Sequence, residues 1–122
     1  MPTVSEPLVL VKANNIAELG YVLNPAFRGQ GIAVEAAMKL LSIGFDYLGL
    51  ERIEVKIIAE NSASIKVAEK CGMKLEGIFR HYMLIKGQYR DIAILSILRS
   101  EYYQNNKAMD YSHFNEIKKS LF

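Results

Sequence analysis

The chain has one cysteine, no tryptophan and almost no excess charge. Cys71 is the single thiol in 122 residues, which excludes an intramolecular disulfide and a cysteine metal cluster. His81 and His113 have no second ligand at metal spacing, so both read as structural or exposed and no metal site is expected. With 15 Lys and Arg against 13 Asp and Glu, the formal charge of +2 supplies no basic stripe for nucleic acid. No apolar run approaches a bilayer span, and the start lacks the basic-then-apolar pattern of a leader. The expectation is a cytoplasmic protein without membrane or nucleic-acid partners. Hydrophobic residues at 51% and charged residues at 23% suit one globular domain with a modest core.

Against this plain background stands Asn24-Pro25-Ala26-Phe27-Arg28-Gly29-Gln30-Gly31-Ile32-Ala33, between an apolar strand-like run and a long amphipathic stretch. Glycines at a helix start let a ligand approach the backbone, where unpaired amides and the positive end of the dipole favour an anion. A glycine-containing turn into a helix would leave the same trace. A Walker loop fails because no Lys-Ser or Lys-Thr follows the glycines. A dinucleotide fingerprint beginning at Gly29 and Gly31 needs a small residue at position 34, which is Val34. What remains is Arg28-x-x-Gly31-x-Ala33.

Periodicity gives the rest of the frame. Pro7 to Lys12 and Ile16 to Leu23 read as antiparallel strands around Asn14-Asn15, and Asn24-Pro25 ends the second. A helix is predicted from about Gly31 to Leu48, with Ala33, Ala36, Ala37, Leu40, Leu41, Gly44, Phe45 and Leu48 on one buried face and Gly49 as its left-handed terminator. Alternation predicts a strand over 52–59. A second helix should begin near Asn61 or Ser62 and end before Gly72, with Ile65, Val67 and Ala68 inward. Lys74 to Ile85 and Tyr89 to Leu98 form a final hairpin, the run from Ile92 to Leu98 being covered on both faces. Residues 99–122 read as a polar tail with a helix from Asp110 to Leu121. The fold class is α/β: a mixed sheet of about five strands, two main helices and a C-terminal helical tail.

The Arg28-x-x-Gly31-x-Ala33 loop resembles the pyrophosphate loop of the GNAT family of acetyl-CoA-dependent N-acetyltransferases. Other motifs extend the likeness over residues 16 to 98: Glu18-Leu19-Gly20-Tyr21, Asn61-Ser62-Ala63-Ser64, Glu69-Lys70-Cys71-Gly72-Met73-Lys74-x-Glu76-Gly77 and Tyr89-Arg90-Asp91. Within the family the flavour is similar to ribosomal-protein N-terminal acetyltransferases of RimJ/RimL type. The resemblance implies that residues 1–98 form a partial domain, the cofactor half, truncated at its N-terminal side, with 99–122 an extension. Family members carry further helices and strands ahead of the region that starts here near Pro7, and those helices wall the acceptor groove.

The same resemblance implies acetyl-CoA as co-substrate, held by Leu23, Arg28, Gly29, Gln30, Gly31, Ile32, Ala33, Asn61 and Ser64. The expected function is acetyl transfer to a primary amine, either a protein N-terminus or a small molecule, by direct attack. The alternative is a coenzyme A-binding module without turnover. Glu18 is the candidate base, as the carboxylate inside an apolar run whose burial would raise its pKa toward neutrality; a cross-strand pair with Lys12 is the competing reading. Asn61 either holds the pantetheine arm or simply caps its helix. The family's acidic tyrosine is matched here by Ala68, which leaves Ser64 as hydrogen-bond donor to the leaving thiolate. Cys71 reads as core. Arg80 and Tyr89-Arg90-Asp91 belong to the final hairpin, pairing with neighbours or touching the acceptor. The edge strand over Pro7–Lys12 points to a homodimer.

Overall fold

The computed structural model describes residues 8–20 and 30–105. Their order is β1 (Leu8–Val11), a 3-10 turn (Ala13–Asn15), β2 (Ile16–Gly20), α1 (Gln30–Ser42), a π-turn (Ile43–Tyr47), β3 (Arg52–Ile58), α2 (Ser62–Lys70), β4 (Lys74–Ile85) and β5 (Gln88–Leu98). A helical segment over 99–105, α3, follows. The strands form one sheet in the order β1-β2-β3-β5-β4, with β2 and β3 parallel and the other neighbours antiparallel.

Turn chemistry sets the hairpins. Asn14 and Asn15 take φ of 63° and 58°, the left-handed values that asparagine tolerates, and β1 folds back on β2 there. Lys86 and Gly87 take φ of 51° and 78° between Ile85 and Gln88, matching the twist of the long β4–β5 ribbon.

Alternation then separates two faces. Ala17, Leu19, Ile53, Val55, Ile57, Ala93, Leu95 and Ile97 point to one side and pack with Ala37, Leu41, Phe45, Ala68 and Cys71 from the helices. Fully burying a side chain such as Leu41, Phe45, Ile53 or Leu95 stabilises by about 1.5–3 kcal/mol each. Residues Ile92 to Ile97 are all buried, the pattern of a central strand. Gly49, with φ of 63°, ends the helical stretch in the left-handed conformation expected of it.

The first helix departs from its expected course. It leaves α geometry after Ser42, and Leu48 N–H bonds to the Ile43 carbonyl at 3.1 Å. Close approach accounts for this: a Cβ on Gly44 would stand 2.5 Å from Ile53 Cδ1 and 3.2 Å from Leu50 Cδ1. The bare backbone settles onto β3, and the widened turn accommodates it.

The stretch after Leu98 also differs from a polar tail. Tyr102 on α3 is buried and stacks on Phe45 with ring centroids 4.8 Å apart. The Tyr103 hydroxyl reaches Asp46 Oδ1 at 2.7 Å and the Phe45 carbonyl at 3.1 Å. Aromatics four to five residues past a strand carry little periodicity, so their partnership with Phe45 was not readable locally. The helix expected over Asp110–Leu121, and residues 21–23 of the second strand, lie outside the described residues.

Candidate functional site

The parallel pair β2–β3 parts before either strand ends. Cα partners run Ile16↔Arg52, Ala17↔Ile53 and Glu18↔Glu54, while β2 continues to Gly20 and β3 to Ile58. Among the described residues, β3 beyond Glu54 pairs only with β5. Backbone amides along a parted edge retain hydrogen-bonding capacity that an extended, amide-bearing ligand can use. Open α/β sheets likewise bind ligands in the crevice outside the carboxyl ends of parallel strands.

Helix starts follow both strands. β3 passes into α2 through Ala59, Glu60 and Asn61, and β2 leads by residues 21–29 to α1. Neither helix has an acidic residue in its first turn, although Glu60 stands just ahead of the α2 cap. The helices touch: the Cys71 thiol donates to the Val34 carbonyl at 3.8 Å, and burial pushes that thiol up to about 11. Cys71, 4% exposed, is core as expected.

Asn61 caps α2, its Oδ1 accepting the Ser64 N–H at 3.2 Å. The carbonyl oxygen is thus spent on the cap, while the amide nitrogen is the part left to meet a ligand. Ser64 is 6% exposed, in the first turn of α2. Ala33 is buried. Gln30, Gly31 and Ile32 form the first described turn of α1, and only their backbone is described. Leu23, Arg28 and Gly29 lie outside the described residues.

Glu18 is the last β2 residue paired with β3, on the face opposite the helices. Its side chain is 20% exposed, and its Oε1 lies 3.0 Å from Lys12 Nζ and 3.1 Å from Lys56 Nζ. This corrects the expectation of a raised pKa. Burial does push the carboxyl up, but hydrogen bonds from Lys12 and Lys56, with their charges, outweigh it, and Glu18 titrates below the usual glutamate value. The cross-strand partnership with Lys12 is present as geometry.

That face carries a charge-alternating strip. Lys12 also approaches Glu54 at 3.8 Å, Arg52 reaches Glu54 at 3.7 Å, and Arg52 and the Ser96 hydroxyl both donate to Glu76. Tyr82 closes one side, its ring 5.7 Å from Lys56 Nζ and edge-on to Phe79 at 5.1 Å. A bulge puts it there. Register on β4 shifts between Phe79 and Met83, His81 takes φ of 50°, and Asp91 Oδ1 accepts the His81 N–H at 2.9 Å. Arg80, His81 and Asp91 line a shallow concavity beside it, and Arg90 reaches Glu60 at 3.8 Å. Sequence reasoning missed Lys56 and Tyr82. Alternation on β3 placed Lys56 on Glu18's face, a usable signal, whereas nothing local to Tyr82 announces the bulge.

A model of the acetyltransferase (GNAT) domain matches residues 6–74. The chain belongs to the GNAT acetyltransferase family. It is 42% identical over 89 residues to the uncharacterized N-acetyltransferase p20 of Bacillus licheniformis, covering 73% of this chain and 50% of that protein. It is 31% identical over 101 residues to the spermidine N(1)-acetyltransferase of Escherichia coli, covering 80% and 54%. Among solved structures, a chimera of the spermidine N-acetyltransferase SpeG from Vibrio cholerae and hSSAT superposes with a TM-score of 0.74 at 26% identity, covering 81% of this chain and 61% of that one. The chain therefore spans about half the length of the curated relatives it matches. The five-stranded mixed sheet is GNAT-like. No helix among the described residues is long and apolar enough to cross a membrane.

Proposed function

We propose that this GNAT chain binds acetyl-CoA and supports transfer of its acetyl group to a primary amine. The observation that carries the reading is the parting of β2 from β3 beyond Glu18 and Glu54, next to the capped start of α2. The pantetheine arm would lie along the parted edge, and the Asn61 amide nitrogen would meet one of its carbonyls. Leu23 and the segment Arg28, Gly29, Gln30, Gly31, Ile32 and Ala33 would hold the pyrophosphate at the start of α1.

Acetyl-CoA supplies a thioester carbon open to attack by a neutral amine, so no protein nucleophile is needed. Glu18 receives the acceptor's ammonium and takes its proton through water. Ser64 donates toward the leaving sulfur. The likeness to spermidine N-acetyltransferases favours a small amine acceptor, with a protein N-terminal amine, as in the RimJ/RimL type, the further option. One observation favours a coenzyme A-binding module without turnover: two lysines already occupy Glu18 and lower its basicity.

A thermal-shift titration with acetyl-CoA, followed by thiol release on adding an amine, tests both readings. Acetyl-CoA should raise the melting temperature by mass action, and Gly31→Val, which fills the cradle, should abolish most of the shift. An undiminished shift in the variant removes the site; a shift without thiol release selects the binding module. The proposal also carries a homodimer, supported by β1 and β4 standing at the sheet edges among the described residues and by exposed Ile78 and Leu84 on β4. A monomer by light scattering removes that part.

A further inference from the structure

Glu18 Oε1 holds two ammonium groups, and the two are held unequally. Lys56 rises from within β3, is 20% exposed and has the Tyr82 ring 5.7 Å from its Nζ. Lys12 sits where β1 ends, is 43% exposed and has no ring over it among the described residues. Its seat consists of two carboxylates, Glu18 at 3.0 Å and Glu54 at 3.8 Å. An exposed pair of this kind contributes little and breaks easily. Lys56 keeps Glu18 partnered when Lys12 leaves, so departure does not strand a half-buried charge.

Charge balance makes an exchange the favourable route for a second cation. Lys12, Lys56 and Arg52 face Glu18, Glu54 and Glu76 across this strip. An added ammonium leaves the strip with excess positive charge unless one resident cation gives way. Lys12 is the more exposed of the two ammoniums on Glu18, and its seat adjoins the last paired residue before the strands part. A lysine tip is itself a primary ammonium on an alkyl chain, so the vacated position suits a ligand of that chemistry.

We propose that Lys12 is a built-in competitor for a primary-amine ligand, occupying the ammonium seat between Glu18 and Glu54 and setting acceptor affinity by the ease of its displacement. For its consequence in turnover, and only there, this rests on the transferase reading above.

The test uses the 122-residue chain with n-butylamine and the corresponding terminal diamine, titrated by calorimetry without coenzyme. Lys12→Met should bind either amine about fivefold more tightly than the wild type, the scale of one exposed ion pair, while Lys12→Arg stays close to the wild type. Where acetyl transfer is measured, the KM for the amine should fall in parallel in Lys12→Met, with the KM for acetyl-CoA unmoved. Thermal melts of both variants control for folding, which the exposure of Lys12 makes tolerant of the change. Equal amine affinities in wild type and Lys12→Met, or no amine binding by either, overturn the inference whether or not acetyl transfer occurs. Tighter amine binding by Lys12→Met without acetyl transfer upholds it and removes the transferase reading instead.

Discussion

Lys56 stands on β3 two residues beyond Glu54, the last residue paired with β2, yet its ammonium reaches back to Glu18 at 3.1 Å. The contact is diagonal across the point where the parallel strands separate. It ties the two sides of the opening on the face away from the helices. Lys12 makes a second contact to the same oxygen from the neighbouring strand edge. The carboxylate proposed to receive the acceptor amine is thus already solvated by the protein's own amines.

Glu18→Gln should leave acetyl-CoA binding intact while lowering acetyl transfer by about 10²-fold, the usual worth of a positioned proton acceptor. Because the same carboxylate receives the ammonium, KM for the amine should rise as well. Steady-state kinetics beside an acetyl-CoA thermal shift check this. A variant with wild-type kcat/KM would take Glu18 out of the reaction.

Asn61 has two separable tasks. Asn61→Ser keeps an oxygen that can cap the Ser64 N–H but removes the side-chain amide donor, whereas Asn61→Ala removes both. The alanine variant should lose about 1 kcal/mol of stability and the serine variant far less. If the amide holds the coenzyme arm, both should weaken acetyl-CoA binding alike. Retention of full affinity in Asn61→Ser would leave Asn61 as a helix cap and nothing more.

Stability should be acid-sensitive in a defined window. Glu18 is raised by burial but lowered further by its hydrogen bonds to Lys12 and Lys56, and hydrogen bonds from Arg52 and Ser96 lower Glu76. Both bind protons more weakly folded than unfolded. Their contribution is therefore fully present above the ordinary value of 4.5 and is lost as pH falls through the lower folded values. Urea midpoints should be level from neutrality down to that value and then decline. In Glu18→Gln the decline should be shallower; an identical profile would show that the pairing adds no stability.

Much of the frame was legible because local chemistry and tertiary packing agree. Asn14-Asn15 and Gly49 take positive φ where a turn and a helix end were expected, and the final hairpin reverses between the two strands expected of it, one residue tighter because Gln88 joins β5. β3 alternates buried and half-buried residues from Arg52 to Ile58, so its two faces could be read directly. The α1 ending could not, since Gly44 reads equally as a small helical residue and as a contact with Ile53. Asn61 was legible as a cap, yet capping and ligand binding draw on the same side chain.

The sequence by itself determined the order of elements from β1 to β5 and the family, because periods of two and 3.6 and the spacing of Arg28, Gly31 and Ala33 are properties of neighbouring residues. Only the tertiary structure decided the protonation and company of Glu18. Neighbours along the strand do not decide the company of a carboxyl, and the lysines that lower its pKa lie outside β2, Lys12 just past the end of β1 and Lys56 on β3. The parting of β2 from β3 and the bulge that carries Tyr82 over Lys56 are likewise pairings between distant segments, and pairing energy appears only when the partners meet.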